Sequence, residues 1–436
     1  MGPGGGCHGL SSTRVRAGGY AARVEDNPWH PKPLLTSTTP LSILSQKSYQ
    51  GSSVICPDCR DVASFREHRA KTFTTLLGDV RVAIRPYYHC PHCHSGHFPG
   101  DAALGLIGRR LSLGAEEVVT LAGTLTSFGE AATKLLPKMA GMRCGESTVE
   151  RITEGHGERL GAFWERGHTL GPARAWDWNC DARGQRLAYV SVDATGVGQQ
   201  GPGGAKAEGK MVYVGMVYNP AGFDPKAPRD AQPIEQARYL AGLTDLETLG
   251  AQLRRQAGQV GMDRADQWIG LSDGGQGLET FFAIHFPRAT LILDFYHAAG
   301  HLGDLAKAWS DETTTAASLL DAWRHQMKAE GGAAVLRTLE ALDPGGRGPE
   351  ALEEYRLVTQ YVRTNAYRMD YPSYQARGWQ IGSGSMESGC KTVICRRLCG
   401  GGMRWGVEGA DSVSHLRALF QSEPNQWEAF WSQSRN

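Results

Sequence analysis

The sequence lacks any uninterrupted apolar run of eighteen residues, the length a membrane-spanning helix needs. Its opening, "MGPGGGCHGLSSTRVRAGGY", lacks the apolar core of a signal peptide. Both absences lead to the expectation of a soluble, cytoplasmic protein with no membrane partner. An excess of either charge is also missing, since 46 Lys and Arg balance 45 Asp and Glu to a formal net charge of +1. Any nucleic-acid footprint must therefore be local to one face or stretch. No internal repeat is visible, and 436 residues suffice for two or three domains.

Cysteine is not scarce, with ten residues, and four of them fall in the tight pairs "CPDC" and "CPHC". A disulfide framework belongs to short secreted chains, and a redox dithiol needs only one such pair. Four thiolates in two knuckles suit a closed, tetrahedral, structural Zn²⁺ site, so Cys56, Cys59, Cys90 and Cys93 are the expected zinc ligands. His89, His92, His94 and His97 crowd the second knuckle as substitute ligands, phosphate contacts or solvated side chains.

Composition and periodicity divide the rest. Residues 1–50, rich in Gly, Pro, Ser and Thr, read as a disordered leader, and 51–105 as a zinc-ribbon domain in which "KTFTTLLG" and "DVRVAIRPYYHC" are hairpin strands. Residues 106–180 are helical. There an apolar-periodic helix, a turn with Gly141 and Gly145, and a second helix capped by Ser147 or Thr148 suit a helix-turn-helix, with Lys134, Lys138 and Arg143 available for phosphate. Helix pairs of this kind are also ordinary packing units.

Strand patterns return at "RLAYVSVDATGVG" and "GKMVYVGMVYNP". The stretch "EQARYLAGLTDLETLGAQLRRQAGQVG" reads as helical, and "QWIGLSDGG", "LETFFAIHF" and "ATLILDFYH" as a parallel strand, helix, strand unit. Residues 299–377 carry only helical signals.

Three acids follow apolar strand runs: Asp193 after "AYVSV", Asp273 after "WIGLS" and Asp294 after "TLIL". Carboxyl ends of strands are where functional groups gather in open α/β sheets, so these acids can converge, although an acid there is also a common helix N-cap. Together with Glu387 in "QIGSGSMESGCKTVICRR" they form a carboxylate set suited to Mg²⁺ or Mn²⁺. Two such ions can serve phosphodiester cleavage.

The ordered motifs "VSVDATGV", "LSDGGQGL", "ILDFYHAAGHL", "NAYRMDYPSYQARGWQIGSGSMESGCKTV" and "GMRWG" together resemble the DDE transposases of bacterial insertion sequences, most closely the ISKra group, relatives of the Mutator-like superfamily. The resemblance runs from the first cysteine pair to the C-terminus. It implies an α/β ribonuclease-H-like catalytic domain, 186–298 and 379–436, interrupted by an all-helical insertion at 299–378. It also implies Mg²⁺-dependent DNA cleavage and strand transfer, and a homo-oligomer acting on DNA in the bacterial cytoplasm, nucleoid-associated when bound. Asp193, Asp273 and Glu387 match the catalytic triad of metal-binding acids, and Asp294 and His297 match the aspartate and histidine of the signature preceding the insertion. Residues 1–50 depart from the folded helices expected upstream of the knuckles.

Near Glu387, Lys391, Arg396 and Arg397 are candidate phosphate contacts, and Arg404 with Trp405 a candidate guanidinium and stacking surface for DNA, each also explicable as solvated charge or core. His301 reads as structural, and Cys390, Cys395 and Cys399 as buried free thiols. Two other functions remain open: a non-catalytic zinc-ribbon and helix-turn-helix regulator, and a ribonuclease-H-like nuclease without strand transfer.

Overall fold

The computed structural model describes residues 49–82, 85–103, 107–108, 110–221, 234–310, 313–423 and 425–433. Nearly all of the leader assigned to 1–50 lies outside them. The chain divides into two compact units, the smaller within 49–73 and 79–110, the larger within 74–78 and 111–433.

In the smaller unit, strands β1 (Ser53–Ile55) and β2 (Val62–His68) pair with Ile55 opposite Val62, so the first cysteine pair forms the turn of one hairpin. Strands β3 (Lys71–Thr75) and β4 (Gly78–Val82) form a separate two-stranded hairpin. Strand β5 (Pro86–His89) pairs with β6 (Gly96–His97), His89 opposite Gly96, and the second cysteine pair lies in their turn. Because β5 also pairs with β2, the two hairpins share a four-stranded sheet. The expected strand "DVRVAIRPYYHC" is thus two strands, each with its own partner. Cys56, Ala63, Tyr88 and Cys90 are the buried centre of this sheet. So few apolar side chains leave the unit dependent on another source of stability.

The larger unit is built on a five-stranded sheet of β7 (Leu187–Gln200), β8 (Lys206–Pro220), β9 (Ile234–Gly242), β10 (Gln267–Ser272) and β11 (Ala289–Leu293) in the order β11-β10-β7-β8-β9. β7, β8 and β9 form an antiparallel meander, while β10 and β11 join in parallel. Alternation along β7 sends Tyr189 to one apolar cluster and Val190 and Val192 to the other, so both faces are covered.

Among the described residues, eleven helices surround this sheet or extend from it: α1 (Leu113–Leu125), α2 (Glu146–Glu165), α3 (Leu246–Gln259), α4 (Leu278–His285), α5 (Phe295–Trp309), α6 (Thr313–Glu330), α7 (Gly332–Glu340), α8 (Pro349–Asn365), α9 (Gly384–Cys390), α10 (Val407–Gln421) and α11 (Gln426–Gln433). Shorter helical pieces join them. No helix among the described residues is long and apolar enough to cross a membrane.

Three local expectations change. "EQARYLAG" begins as strand β9, because pairing with β8 outweighs its helix-favouring Ala, Gln and Leu, and the helix waits until Asp245 accepts a bond from Thr248 N at 2.6 Å. The second helix of the 128–165 pair starts at Glu146, with Gly145 rather than Ser147 or Thr148 at its N-cap. Gly145 O accepts from Thr148 N and Val149 N at 3.0 and 3.1 Å, which places both hydroxyl residues inside the first turn. The helical segment after β11 begins at Phe295, not at 299.

Candidate active site

Asp193 does not end its strand, which continues to Gln200. It lies just past the last parallel pair with β10, Ser191 opposite Leu271, where the sheet opens beside β7. Asp273 follows the end of β10, and its Oδ1 accepts from Gly275 N at 2.8 Å. It is not a helix cap, since Gly277 holds that place for α4. Glu387 is exposed on α9 and pairs with Lys391 at 2.6 Å, one helical turn along. These three acids, from segments up to two hundred residues apart, line one cavity of about 240 Å³ together with Ser191, Ser272, His297 and Ser383.

Asp294 has a different place. It is buried at the N-cap of α5, where Oδ1 accepts from Tyr296 N at 2.6 Å and His297 N at 2.9 Å. Its Oδ2 accepts from Ser383 N at 2.7 Å and from the Ser383 hydroxyl. With both oxygens occupied and Asp294 absent from the cavity lining, its carboxylate acts on position, through Ser383. The N-cap explanation, open for every strand-end acid, applies to Asp294 and not to Asp273.

The segment that returns from the helices to α9 is fastened to the sheet residue by residue. Gln380 N donates to Tyr189 Oη at 2.9 Å, Tyr218 Oη donates to Gln380 Oε1 at 2.9 Å, and Phe295 N donates to Ile381 O at 2.8 Å. α9 then lies close to β9, because a Cβ on Gly389 would meet Tyr239 Cε1 at 2.9 Å. That approach seats the next residue, Cys390, with Sγ 3.7 Å from Asp193 Oδ2. Burial pushes the Cys390 thiol up to about 12, helped by the charge of Asp193, so it remains a thiol that can donate to the carboxylate. Directly after Cys390 the helix widens into a π-helical turn, Lys391–Cys395.

Burial raises the pKa of Asp193 above the usual carboxylate value, and the charge of Asp273 adds to the effect, against the hydrogen bonds from Ala194 N and Cys390. A carboxylate whose charged form is disfavoured by burial and by a neighbouring acid makes a place where a cation is favoured. The oxygens of Asp193, Asp273 and Glu387 are not gathered into a compact ligand group: among the described residues only cysteine-containing sets bring three or more candidate ligands within 4.8 Å of one another. His301 packs 4.1 Å from the Tyr361 ring, and burial lowers its pKa, followed by the charge of His297.

The basic residues divide by burial. Lys391, Arg396 and Arg404 are exposed. Arg397 is interior, its Nε donating to Gly123 O at 2.9 Å and its guanidinium lying between the rings of Phe128 and Trp405 at 4.8 and 4.7 Å. Trp405 is 8% exposed, donates through Nε1 to Leu398 O at 3.1 Å, and exchanges backbone bonds with Gly198 and Gln200 of β7. Neither side chain reaches solvent to touch DNA, because the strand-like pairing of residue 405 draws both into the core. Of the three thiols expected to be buried, only Cys390 is; Cys395 is half-buried and Cys399 exposed.

In the smaller unit, Cys56, Cys59, Cys90 and Cys93 bring their sulfurs within 4.8 Å of one another, a group that could hold a metal ion such as zinc. Cys56 Sγ lies 3.5 Å from Cys93 Sγ, and Cys59 Sγ 3.5 Å from Cys90 Sγ. Hydrogen bonds with the Ser95 side chain and backbone pull the Cys93 thiol down to about 6, whereas, against a hydrogen bond with the Asp61 backbone, burial and the neighbouring sulfurs push Cys59 up to about 12, so Cys93 becomes a thiolate before Cys59. His97 Nε2 stands 3.1 Å from Cys56 Sγ, whereas His89, His92 and His94 do not join the group. Sequence reasoning found every acid lining the cavity but missed the Cys390 contact, whose only local signal was a cysteine one turn after Glu387. Compared with known proteins, the chain matches no protein-family model and no curated relative.

Proposed function

We propose that the chain cleaves and joins DNA strands by metal-dependent phosphodiester chemistry, as a DDE transposase does. The observation that carries this reading is the meeting of Asp193, Asp273 and Glu387 at one cavity. A sheet made of a three-stranded antiparallel meander continued by two parallel strands, with acids at the openings of β7 and β10, supports a ribonuclease-H-like core. The four-cysteine group on two adjoining hairpins supports a zinc ribbon in the smaller unit.

The donor chemistry fits Mg²⁺ or Mn²⁺, since all three acids offer hard oxygen and the field of Asp273 on Asp193 calls for a cation. Asp193 and Asp273 would hold it, joined by Glu387 once that side chain exchanges Lys391 for the ion. When bound, the metal supplies Lewis acidity for activating a water or a DNA 3′-hydroxyl and for neutralising the leaving oxygen. The rest is work of the chain itself. Asp294 and Ser383 set the start of α9, Cys390 donates to Asp193, and His297 places its ring at the cavity wall. Lys391, Arg396 and Arg404 are exposed for phosphate contacts. The expected assembly is a homo-oligomer on DNA in the bacterial cytoplasm.

The test is nicking of DNA carrying the element's ends, with Mg²⁺ or Mn²⁺, by the full chain and by Asp193→Asn. Wild-type activity that disappears with EDTA and in the variant supports the reading. A variant that nicks at the wild-type rate overturns it, and a pre-cleaved end that is never joined to target DNA reduces it to a nuclease.

A further inference from the structure

At the opposite end of the parallel strands from the acids, a groove of about 500 Å³ is lined by Arg254, Arg255, Arg288, His285, Asp263 and Trp268, among others. Its place follows from topology. Trp268 and Arg288 stand at the amino ends of β10 and β11, whereas Asp273 follows the carboxyl end of β10. Five residues of strand separate Trp268 from Asp273, about 16 Å at the rise of a β-strand. The groove and the acidic cavity share no residue.

Trp268 organises the groove. It is 3% exposed, and its Nε1 donates to Met262 O at 3.0 Å, which fixes the ring. Two guanidiniums lie over that ring, Arg288 at 4.6 Å and Arg254 at 5.0 Å. An arginine stacked on an indole keeps its planar fork of donors while losing rotamer freedom, so part of the entropy of ordering it is lost before any ligand arrives. Asp263 is the single acid in the lining, and it pairs with Arg254 at 2.9 Å. Arg255 and Arg288 have no acid partner among the described residues, and both are exposed. Burial lowers the pKa of His285, which leaves the two arginines as the charge the groove presents.

We propose that this groove is a second DNA-binding surface, which grips the phosphate backbone of duplex DNA without reading its sequence. Charge complementarity selects the partner: Arg288, unneutralised and held over Trp268, and Arg255, also unneutralised, line an open groove on a chain whose overall net charge is only +1. The inference rests on DNA being the partner and not on the proposed cleavage. Its location lets one duplex segment be held while another occupies the acidic cavity.

The experiment is fluorescence anisotropy of the full chain with a duplex lacking element sequence, in EDTA, over a range of salt concentrations. The wild type, the double variant Arg255→Gln/Arg288→Gln and the charge-keeping Arg255→Lys/Arg288→Lys are compared. The Gln pair is expected to reduce the slope of log affinity against log salt by about 2, one phosphate contact per arginine. The Lys pair is expected to keep the slope. Unchanged slope in the Gln pair, with folding confirmed by circular dichroism, overturns the proposal, as does a wild type that binds no duplex. If a heparin column or anionic vesicles show the same Arg255 and Arg288 dependence while duplex binding does not, the surface serves another polyanion and the proposal also fails. Binding that depends on both arginines in a chain that never nicks DNA would remove the cleavage reading alone.

Discussion

Asp294 Oδ2 accepts a hydrogen bond from Ser383 N at 2.7 Å, joining two positions 89 residues apart in the chain. The bond fixes the start of the helix that carries Glu387, while the other oxygen of Asp294 caps the helix that carries His297. Asp294→Ala therefore removes a cap and a tether together and is expected to cost roughly 2–4 kcal/mol of stability. Because the loss falls on placement, residual nicking should require a higher metal concentration rather than show a changed pH profile. Urea unfolding and metal titration of nicking check both; a variant as stable as wild type would remove the tether.

Asp193 titrates against its surroundings, and the sign of the effect follows. Burial and Asp273 raise its folded pKa above the ordinary 3.8, so the folded state binds a proton more tightly than the unfolded one. The stability linked to this group is complete below 3.8 and is lost as pH rises through the raised folded value. Asp193→Asn, which carries no charge, should raise the metal-free melting temperature at pH 7, with the difference shrinking as pH falls toward 4. Adding Mg²⁺ should stabilise the wild type and not the variant. Melting curves at both pH values, with and without Mg²⁺, decide it; a variant destabilised at pH 7 without metal contradicts the electrostatic account.

The small sheet around Cys56 and Cys90 has few other apolar side chains to bury. Metal binding to four thiolates should therefore supply much of its folding free energy. One equivalent of zinc per chain is expected by elemental analysis, with loss of the metal in Cys59→Ser or Cys90→Ser. Chelation should raise amide hydrogen exchange across residues 53–97 and leave the sheet of β7 to β11 protected. Unchanged exchange after complete metal removal would show that the hairpins stand unaided.

Arg396 and Arg397 are neighbours with opposite surroundings, one exposed and the other 2% exposed between two aromatic rings. Arg397→Ala is expected to destabilise the larger unit by about 2–4 kcal/mol through lost packing and the unpaired Gly123 carbonyl. Arg396→Gln should stay within about 0.5 kcal/mol of wild type and lower the salt slope of DNA binding by about 1. Unfolding and anisotropy on both variants test the division, and the reverse pattern would refute it.

Much of this arrangement was legible because its signals are local. The cysteine knuckles carry their chemistry within four residues, and the alternation of β7 is written in Tyr189, Val190, Ser191 and Val192. Apolar runs likewise marked the strands that Asp273 and Asp294 follow. The sequence by itself therefore determined the knuckles, the parallel strand pair, the helical stretch after it and the set of acids worth watching.

Only the tertiary structure decided which groups do what. β9 is a strand because β8 offers it a partner, against its own composition. Asp294 is a cap and tether, and Arg397 is a core residue, because of Ser383 and of Gly123, the latter 274 residues away. Cys390 reaches Asp193 because glycine at 389 lets a helix approach a distant strand. A local pattern records which face of an element is apolar; it holds no record of which distant donor will take up a carboxylate oxygen, and that donor assigns each acid its role.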